Sequence, residues 1–274
     1  MSQGQTTPII DCNTVVGFWV RRQVDSSAEA LLKIMDKYGV VRALCVSTTA
    51  IFYDYRQGNE ETLSIARRSN FRLYPVATVD PREYINCFKE IELRARQGWR
   101  LFRFFPDLQG WTVRYAPFRD IAQLLGELKL PFMLPAHATG VATEIAELVG
   151  ELQVPVILTA VNYNNLSEII SVMKQTQHIC IETHKLFSTG AYEILKEHVG
   201  VERIAYGSFA PVQYFASSYL PLIRSSLTDD EKRKILCENI RWILEAKGER
   251  AEQAQQVKHL QERKEPVQLD EVAQ

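Results

Sequence analysis

Short apolar segments alternate with longer amphipathic segments along most of the chain. The short segments are rich in β-branched and aromatic residues and are apolar at nearly every position. That pattern is typical of parallel strands buried on both faces. It predicts strands at residues 9–12, 43–47, 72–79, 101–105, 132–136, 156–160, 179–182 and 203–207.

The longer segments repeat their apolar residues at helical spacing. In the first of them Leu31 and Met35 share one face and Gly39 follows the last turn, while Asp25 or Ser26 is expected to cap the N-terminus. Helices are predicted at residues 26–38, 60–69, 81–97, 118–128, 143–152, 165–175, 190–198 and 229–247. Strands that each precede a helix describe an α/β fold, a single (β/α)₈ TIM barrel with right-handed crossovers.

The length of 274 residues fits one such barrel, which typically needs about 250 residues. Hydrophobic residues form 46% of the chain, enough for a large core. We assign the barrel to residues 1–247. The remaining residues, 248–274, are polar and include Pro266, and they predict a flexible tail.

Charge and cysteine content narrow the function classes. The 32 Lys and Arg residues balance the 33 Asp and Glu residues, which argues against a nucleic acid or a membrane surface as partner. The five cysteines show no paired spacing, so neither a disulfide framework nor a zinc ribbon is indicated. The N-terminus lacks a secretory pattern and no apolar run reaches about 20 residues, so we expect a cytoplasmic protein.

Ordered motifs over residues 8–246 resemble the amidohydrolase-related superfamily, in the branch of the aminocarboxymuconate-semialdehyde decarboxylases. The first lies at Asp11 and Gly17, and a later one is Gly-Ser-Phe-Ala-Pro from Gly207 to Pro211. The segments that carry the resemblance are residues 10–17, 38–43, 74–81, 98–103, 203–211 and 238–244. The resemblance implies a TIM barrel with hydrolase or decarboxylase activity and a divalent metal.

The metal ligands of that superfamily do not carry over to this chain. Asn13 and Val15 stand where the resemblance places a His-x-His pair, and Phe209 stands in the place of a late aspartate. Only His137 matches, as the histidine after the fifth strand. A catalytic zinc needs about three protein ligands. We therefore expect no metal and no other cofactor, and a divalent metal such as zinc only if the chain is an active hydrolase.

Ionisable residues at the strand ends are the catalytic and anion-binding candidates, because barrel active sites lie at the C-terminal mouth. His137 is a candidate acid or base, and Glu182, beside His184, is a second. Asp11 is expected to assist them. Arg103 is a candidate clamp for a carboxylate or phosphate.

Uncharged polar residues also fall at the strand ends. They are expected either to hydrogen-bond a polar ligand or to satisfy one another. These residues are Asn13, Thr78, Asn162, Tyr163 and Ser208.

Three functions stay open. The chain is a metal-free pseudoenzyme that binds a small polar or carboxylated molecule, an active hydrolase or decarboxylase with an atypical metal site, or a non-catalytic interaction subunit. A pocket holding Arg103 and His137 would favour the first two, whereas a mouth filled by Phe209 and Tyr163 would favour the third. The resemblance also allows a homodimer.

Overall fold

The structure, a computed structural model, describes residues 7–245. The predicted flexible tail and the boundary before it lie outside these residues. Within the described part, no helix is long and apolar enough to span a membrane.

A parallel strand forms within or across each of the predicted strand segments. The strands are β1 (Ile9–Phe18), β2 (Asp25–Ser26), β3 (Val40–Ser47), β4 (Leu73–Pro75), β5 (Phe102–Arg103), β6 (Phe132–Pro135), β7 (Val156–Thr159), β8 (Ile179–Glu182) and β9 (Ile204–Ala205). The exception to the prediction is β2, a short strand that pairs antiparallel with the end of β1. The predicted barrel strands are therefore β1 and β3 to β9.

Two sheets make up the barrel, one ordered β2-β1-β3-β4 and the other running from β5 to β9. Single parallel bridges join them at both seams, between Ala77 and Phe102 and between Thr14 and Ala210. At the first seam the Arg103 amide donates to the Ala77 carbonyl over 2.8 Å. The ring of parallel strands is thereby closed, which confirms the predicted TIM barrel.

Helices cover the outside of the barrel and also occupy several loops at its mouth. They are α1 (Ala28–Tyr38), α2 (Thr48–Phe52), α3 (Tyr55–Arg68), α4 (Tyr84–Arg96), α5 (Pro106–Gln109), α6 (Ala116–Glu127), α7 (Val141–Val149), α8 (Leu166–Gln175), α9 (Ala191–Val199), α10 (Phe215–Arg224), α11 (Asp229–Arg233) and α12 (Asn239–Glu245). The predicted helix at residues 229–247 is divided by a π-helical turn, Lys234–Glu238. Helices α2, α5 and α10 lie in βα loops and were not predicted.

The first helix shows how local sequence sets its ends. Its N-cap is Ser27 and neither of the predicted residues, because the Ser27 hydroxyl accepts from the Ala30 amide. The hydroxyl of Ser26 instead donates to the Gly17 carbonyl over 2.5 Å and joins β2 to β1. At the other end Gly39 adopts φ 73°, a left-handed conformation that glycine takes without strain.

The hydrophobic core fills the barrel and the layer between strands and helices. All residues of β7 and β8 are buried. This explains their continuous apolar sequence, because one face meets the barrel interior and the other meets the helices. The five cysteines are free and buried. Polar residues then appear where the strands end, and there the candidate site forms.

Candidate binding site at the mouth of the barrel

A cavity of about 320 Å³ opens at the C-terminal ends of the strands. Arg103 ends β5, His137 follows β6, and His184 follows β8. The cavity is lined by Trp19, Arg21, Arg103, Phe104, Phe105, Asp107, Leu108, Pro135, His137, Thr159, Ala160, His184, Lys185 and Phe209. The cavity thus lies at the face where barrels of this kind carry their sites.

Arg103 supplies a buried positive charge to the cavity. The residue is 6% exposed, and its guanidinium carbon lies 4.7 Å from the ring centre of Phe105 and 5.1 Å from that of Phe209. Burial lowers the pKa of Arg103 to about 10, against the opposing charge of Glu182, so the group stays cationic at neutral pH. Its Nη1 is buried and has no hydrogen-bond partner among the described residues. An unsatisfied buried donor costs about 1–3 kcal/mol.

Glu182 and His184 form a buried pair at the end of β8. The Nδ1 of His184 lies 2.5 Å from Oε1 of Glu182, and the His184 amide donates to Oε2 over 2.8 Å. Burial alone would raise the pKa of Glu182, but the charge of His184 and its hydrogen bonds lower it below the usual value. Because Nδ1 is engaged by Glu182, Nε2 is the ring nitrogen left for a ligand in the cavity.

The backbone just after β9 packs closely against Glu182. A Cβ at Gly207 would lie 2.3 Å from Oε2 of Glu182 and 2.9 Å from Cβ of Asn13. The hydroxyl of Thr183 bonds both the amide and the carbonyl of Gly207, each over 3.1 Å. Only a residue without a side chain allows the segment after β9 to approach the carboxylate this closely.

Asp11 belongs to a buried layer and does not line the cavity. Its carboxylate accepts from the amides of Asn13, over 3.1 Å, and of Ser208, over 3.0 Å, and from the Ser208 hydroxyl. Burial raises the pKa of Asp11 to about 7, against these hydrogen bonds. The Nδ2 of Asn13 lies 3.2 Å from Nδ1 of His184, so this layer touches the site from behind. Asp11 and Ser208 therefore join β1 to the loop after β9.

His137 lies at the rim of the cavity. Its side chain is 44% exposed, and its Nδ1 is 3.4 Å from Oδ2 of Asp107. It shares the cavity with Arg103 and His184. An acid or base at this rim would act closer to solvent than one at His184.

The other predicted ligand residues stand outside the cavity lining. The amide and carbonyl of Thr78 are bonded by the side chain of Asn59. Asn162 caps a short 3₁₀ turn and donates to the His137 carbonyl over 3.1 Å. Tyr163 is 74% exposed and does not line the cavity, so it does not plug the mouth.

Phe209 forms a wall of the cavity and leaves it open. Its backbone adopts φ 58°. Its ring centre lies 5.4 Å from those of Trp19 and His184, in addition to its contact with Arg103. The sequence singled out Phe209 as a lost aspartate but gave no sign that its ring would cover the arginine.

His184 is the residue whose importance the sequence understated. The sequence placed Glu182 and His184 close together at the end of an apolar strand segment, as a candidate acid–base pair. The carboxylate lies buried behind, and the imidazole faces the cavity. Position at a strand end thus identified the pair, but only the structure shows that His184 is the member that lines the cavity.

Comparison with known proteins gives the fold a second, independent line of support. No family model matches the chain, and no curated protein matches it by sequence. Its structure is similar to 2,6-dihydroxybenzoate decarboxylase from Rhizobium, with a TM-score of 0.67 and 14% identity over 88% of this chain and 99% of that one. It is also similar to 5-carboxyvanillate decarboxylase from Novosphingobium aromaticivorans, with a TM-score of 0.68 and 13% identity over 89% and 98%.

A third similar structure is the dihydroxybenzoic acid decarboxylase from a Polaromonas species, with a TM-score of 0.68 and 12% identity over 88% of this chain and 98% of that one. This enzyme and the Novosphingobium enzyme both hold manganese. This finding overturns the expectation of no metal cofactor, which rested on the replaced histidines alone.

The side chains at this cavity, among the described residues, do not form a ligand set for such a metal. Within residues 7–245, no group of three or more His, Cys, Asp or Glu side chains is placed to hold an ion. Glu182 and His184 bind each other, and the cation of Arg103 lines the same cavity. The chain shares the barrel fold of the amidohydrolase-related decarboxylases and hydrolases, and the resemblance predicted from its sequence is confirmed at the level of the fold.

Proposed function

We propose that this barrel binds a small carboxylate in the mouth cavity, with Arg103 as its anchor. The proposal rests on the state of the Arg103 guanidinium. It is charged and buried, and its Nη1 has no acceptor within the described part of the chain. A carboxylate supplies two acceptor oxygens in the geometry that matches a guanidinium edge.

Charge around the cavity also favours an anion. Arg21 and Arg103 line it, whereas its acidic lining residue, Asp107, faces the imidazole of His137. The buried carboxylate of Glu182 is held by His184. With Lys185, the lining thus holds three cationic side chains against the one carboxylate of Asp107.

The walls favour a ring as the rest of the ligand. Trp19, Phe105 and Phe209 present aromatic surface to the cavity. A volume of about 320 Å³ lies at the small end of the range for ligand sites, which is about 300–1,000 Å³. One structural neighbour was solved in complex with 2,6-dihydroxybenzoate, a planar acid of this class.

Calorimetric titration with two matched compounds tests the proposal. 2,6-Dihydroxybenzoate carries the carboxylate, and resorcinol is the same ring without it. We expect measurable binding of the acid and a loss of about 10-fold or more in affinity for resorcinol. Equal affinity for the two compounds, or no binding of the acid, would contradict the proposal.

A second candidate is a decarboxylase or hydrolase, and the Glu182–His184 pair favours it. Decarboxylation of an aromatic acid requires a proton at the carbon that loses carbon dioxide. His184 lines the cavity while Glu182 holds its Nδ1, which leaves Nε2 for proton transfer. His137, at the rim, is the alternative acid or base.

Formation of resorcinol from 2,6-dihydroxybenzoate tests this candidate, in protein incubated with and without manganese. We expect activity to fall by about 100-fold or more in His184→Gln and less in His137→Gln. Loss of activity in the second variant alone would assign the proton transfer to the rim. No product under either condition would leave binding as the function of the site.

A further inference from the structure

A second cavity adjoins the first on the same face of the barrel, and Lys185 lines both. Its volume is about 480 Å³. It is formed by the loops that follow β1, β8 and β9. Its lining residues are Arg22, Gln23, Val24, Lys185, Phe187, Pro211, Val212, Gln213, Tyr214 and Ser217. The two cavities are thus neighbouring chambers with a lysine between them.

The second chamber carries positive charge. Arg22 and Lys185 line it, and its lining includes no Asp or Glu. No carboxylate of the described residues lies within ion-pair distance of Lys185. The guanidinium of Arg22 donates to the Val212 carbonyl, which holds the arginine at the chamber wall. Two cations without acidic partners in one concave site favour an anionic group.

Aromatic side chains flank the same chamber. Phe187 and Tyr214 are both exposed, the second at 87%. Exposed rings beside a cationic site can cover the apolar part of a bound molecule. The chamber is therefore suited to a group that combines a charge with a carbon skeleton.

We propose that the two chambers form one extended site for an elongated dianion. One carboxylate binds Arg103, the spacer passes Lys185, and a second acidic group binds between Lys185 and Arg22. This inference rests on the proposed carboxylate site and adds the length and charge of its ligand. Binding of a monocarboxylate then reports the first chamber alone, and the gain from a second carboxylate reports the second chamber.

Matched aliphatic acids separate the two claims. Straight-chain dicarboxylates from glutarate to suberate are titrated against the monocarboxylates of equal length, for example pimelate against heptanoate. We expect one dicarboxylate in the series to bind about 2- to 5-fold more tightly than its partner, the range for a partly exposed ion pair. No preference at any length would overturn the extended site, while absence of all binding would overturn the first chamber.

Variants at Arg22 locate the second group. This exposed residue lines only the second chamber. Arg22→Gln should remove the dicarboxylate preference and leave heptanoate affinity unchanged, and Arg22→Lys should keep part of it. An undiminished preference in Arg22→Gln, or an equal loss for both acids, would contradict the assignment. A Lys185→Gln variant should likewise weaken pimelate more than heptanoate.

Discussion

The Nδ1 of His184 lies 2.5 Å from Oε1 of Glu182, with the carboxylate wholly buried and the imidazole lining the cavity. A carboxylate behind a histidine fixes the ring and favours the proton on the shared nitrogen. The other nitrogen is then presented to whatever occupies the mouth. The pair therefore links the stability of the barrel to the chemistry of its site.

Removing the histidine should leave a buried charge without its partner. In His184→Gln we expect a loss of about 3–5 kcal/mol in the free energy of unfolding near neutral pH. The folded pKa of Glu182 is lowered, so its contribution is present above the ordinary pKa of 4.5 and is lost as the pH falls. The deficit of the variant should therefore shrink in acid.

Urea unfolding at neutral pH and at about pH 4 checks this expectation. The double variant Glu182→Gln/His184→Gln is the control, because it removes both charges and should recover part of the stability. A single His184→Gln variant as stable as the wild type at neutral pH would contradict the account.

The approach of Gly207 to Glu182 gives a steric prediction. Gly207→Ala places a Cβ 2.3 Å from Oε2 of Glu182, so the carboxylate or the strand must move. We expect a loss of about 1–3 kcal/mol in stability and weaker binding of 2,6-dihydroxybenzoate. The control is Gly126→Ala, where the added Cβ meets the flexible end of Leu152. Similar effects of both variants in thermal unfolding would refute the steric argument.

The raised pKa of Asp11 predicts a pH dependence of opposite sign to that of Glu182. With a folded pKa of about 7 against an ordinary 3.8, Asp11 holds its proton in the native state through an interval where the unfolded chain has lost it. Its contribution to stability is therefore full in acid and declines as the pH rises from about 4 to about 7, by at most about 1.4 kcal/mol per pH unit.

Asp11→Asn removes this titration and keeps a side-chain oxygen for the amides of Asn13 and Ser208. Unfolding free energies measured across the interval should fall less steeply in the variant than in the wild type. Parallel curves for the two proteins would show that Asp11 is ionised in the folded state.

Phe209 gives a test of competition for the arginine. Its ring centre is 5.1 Å from the guanidinium of Arg103. A carboxylate there, in Phe209→Asp, should pair with the arginine and weaken binding of 2,6-dihydroxybenzoate by about 10-fold or more. Phe209→Asn has the same shape without the charge and is the matched control. Both residues accept a positive φ readily, so folding should survive. Equal affinities of the two variants for 2,6-dihydroxybenzoate would show that the charge at position 209 does not compete with the ligand for Arg103.

Much of the fold was readable from apolar runs. The β8 segment was predicted over the residues it occupies, because a strand buried on both faces leaves a continuous apolar sequence. The strand predicted at 72–79 is longer than the observed β4. Beyond Pro75 the segment is joined to the next strand only by a single bridge, between Ala77 and Phe102. Helices α2 and α5 have five and four residues, too few for a helical period to show.

The site was readable only in part. Position along a strand placed Arg103 and His137 at the mouth, since every βα junction of a barrel faces the same way. The structural role of Asp11 could not be predicted, because its hydrogen-bond partner Ser208 lies 197 residues away in sequence. A single sequence contains no pattern that would predict a hydrogen bond between two residues so far apart along the chain. The homodimer and the cytoplasmic location stay predictions.

The affinity of Arg103→Met for 2,6-dihydroxybenzoate is the most direct test of the central claim, that a buried guanidinium anchors a carboxylate at the mouth of this barrel. Methionine fills the space of the side chain between Phe105 and Phe209 without a charge. Loss of a charge-assisted pair of hydrogen bonds predicts an affinity lower by about 100-fold, in a variant that unfolds at or above the temperature of the wild type. A folded variant that binds the acid within about threefold of the wild type would show that the carboxylate is held elsewhere.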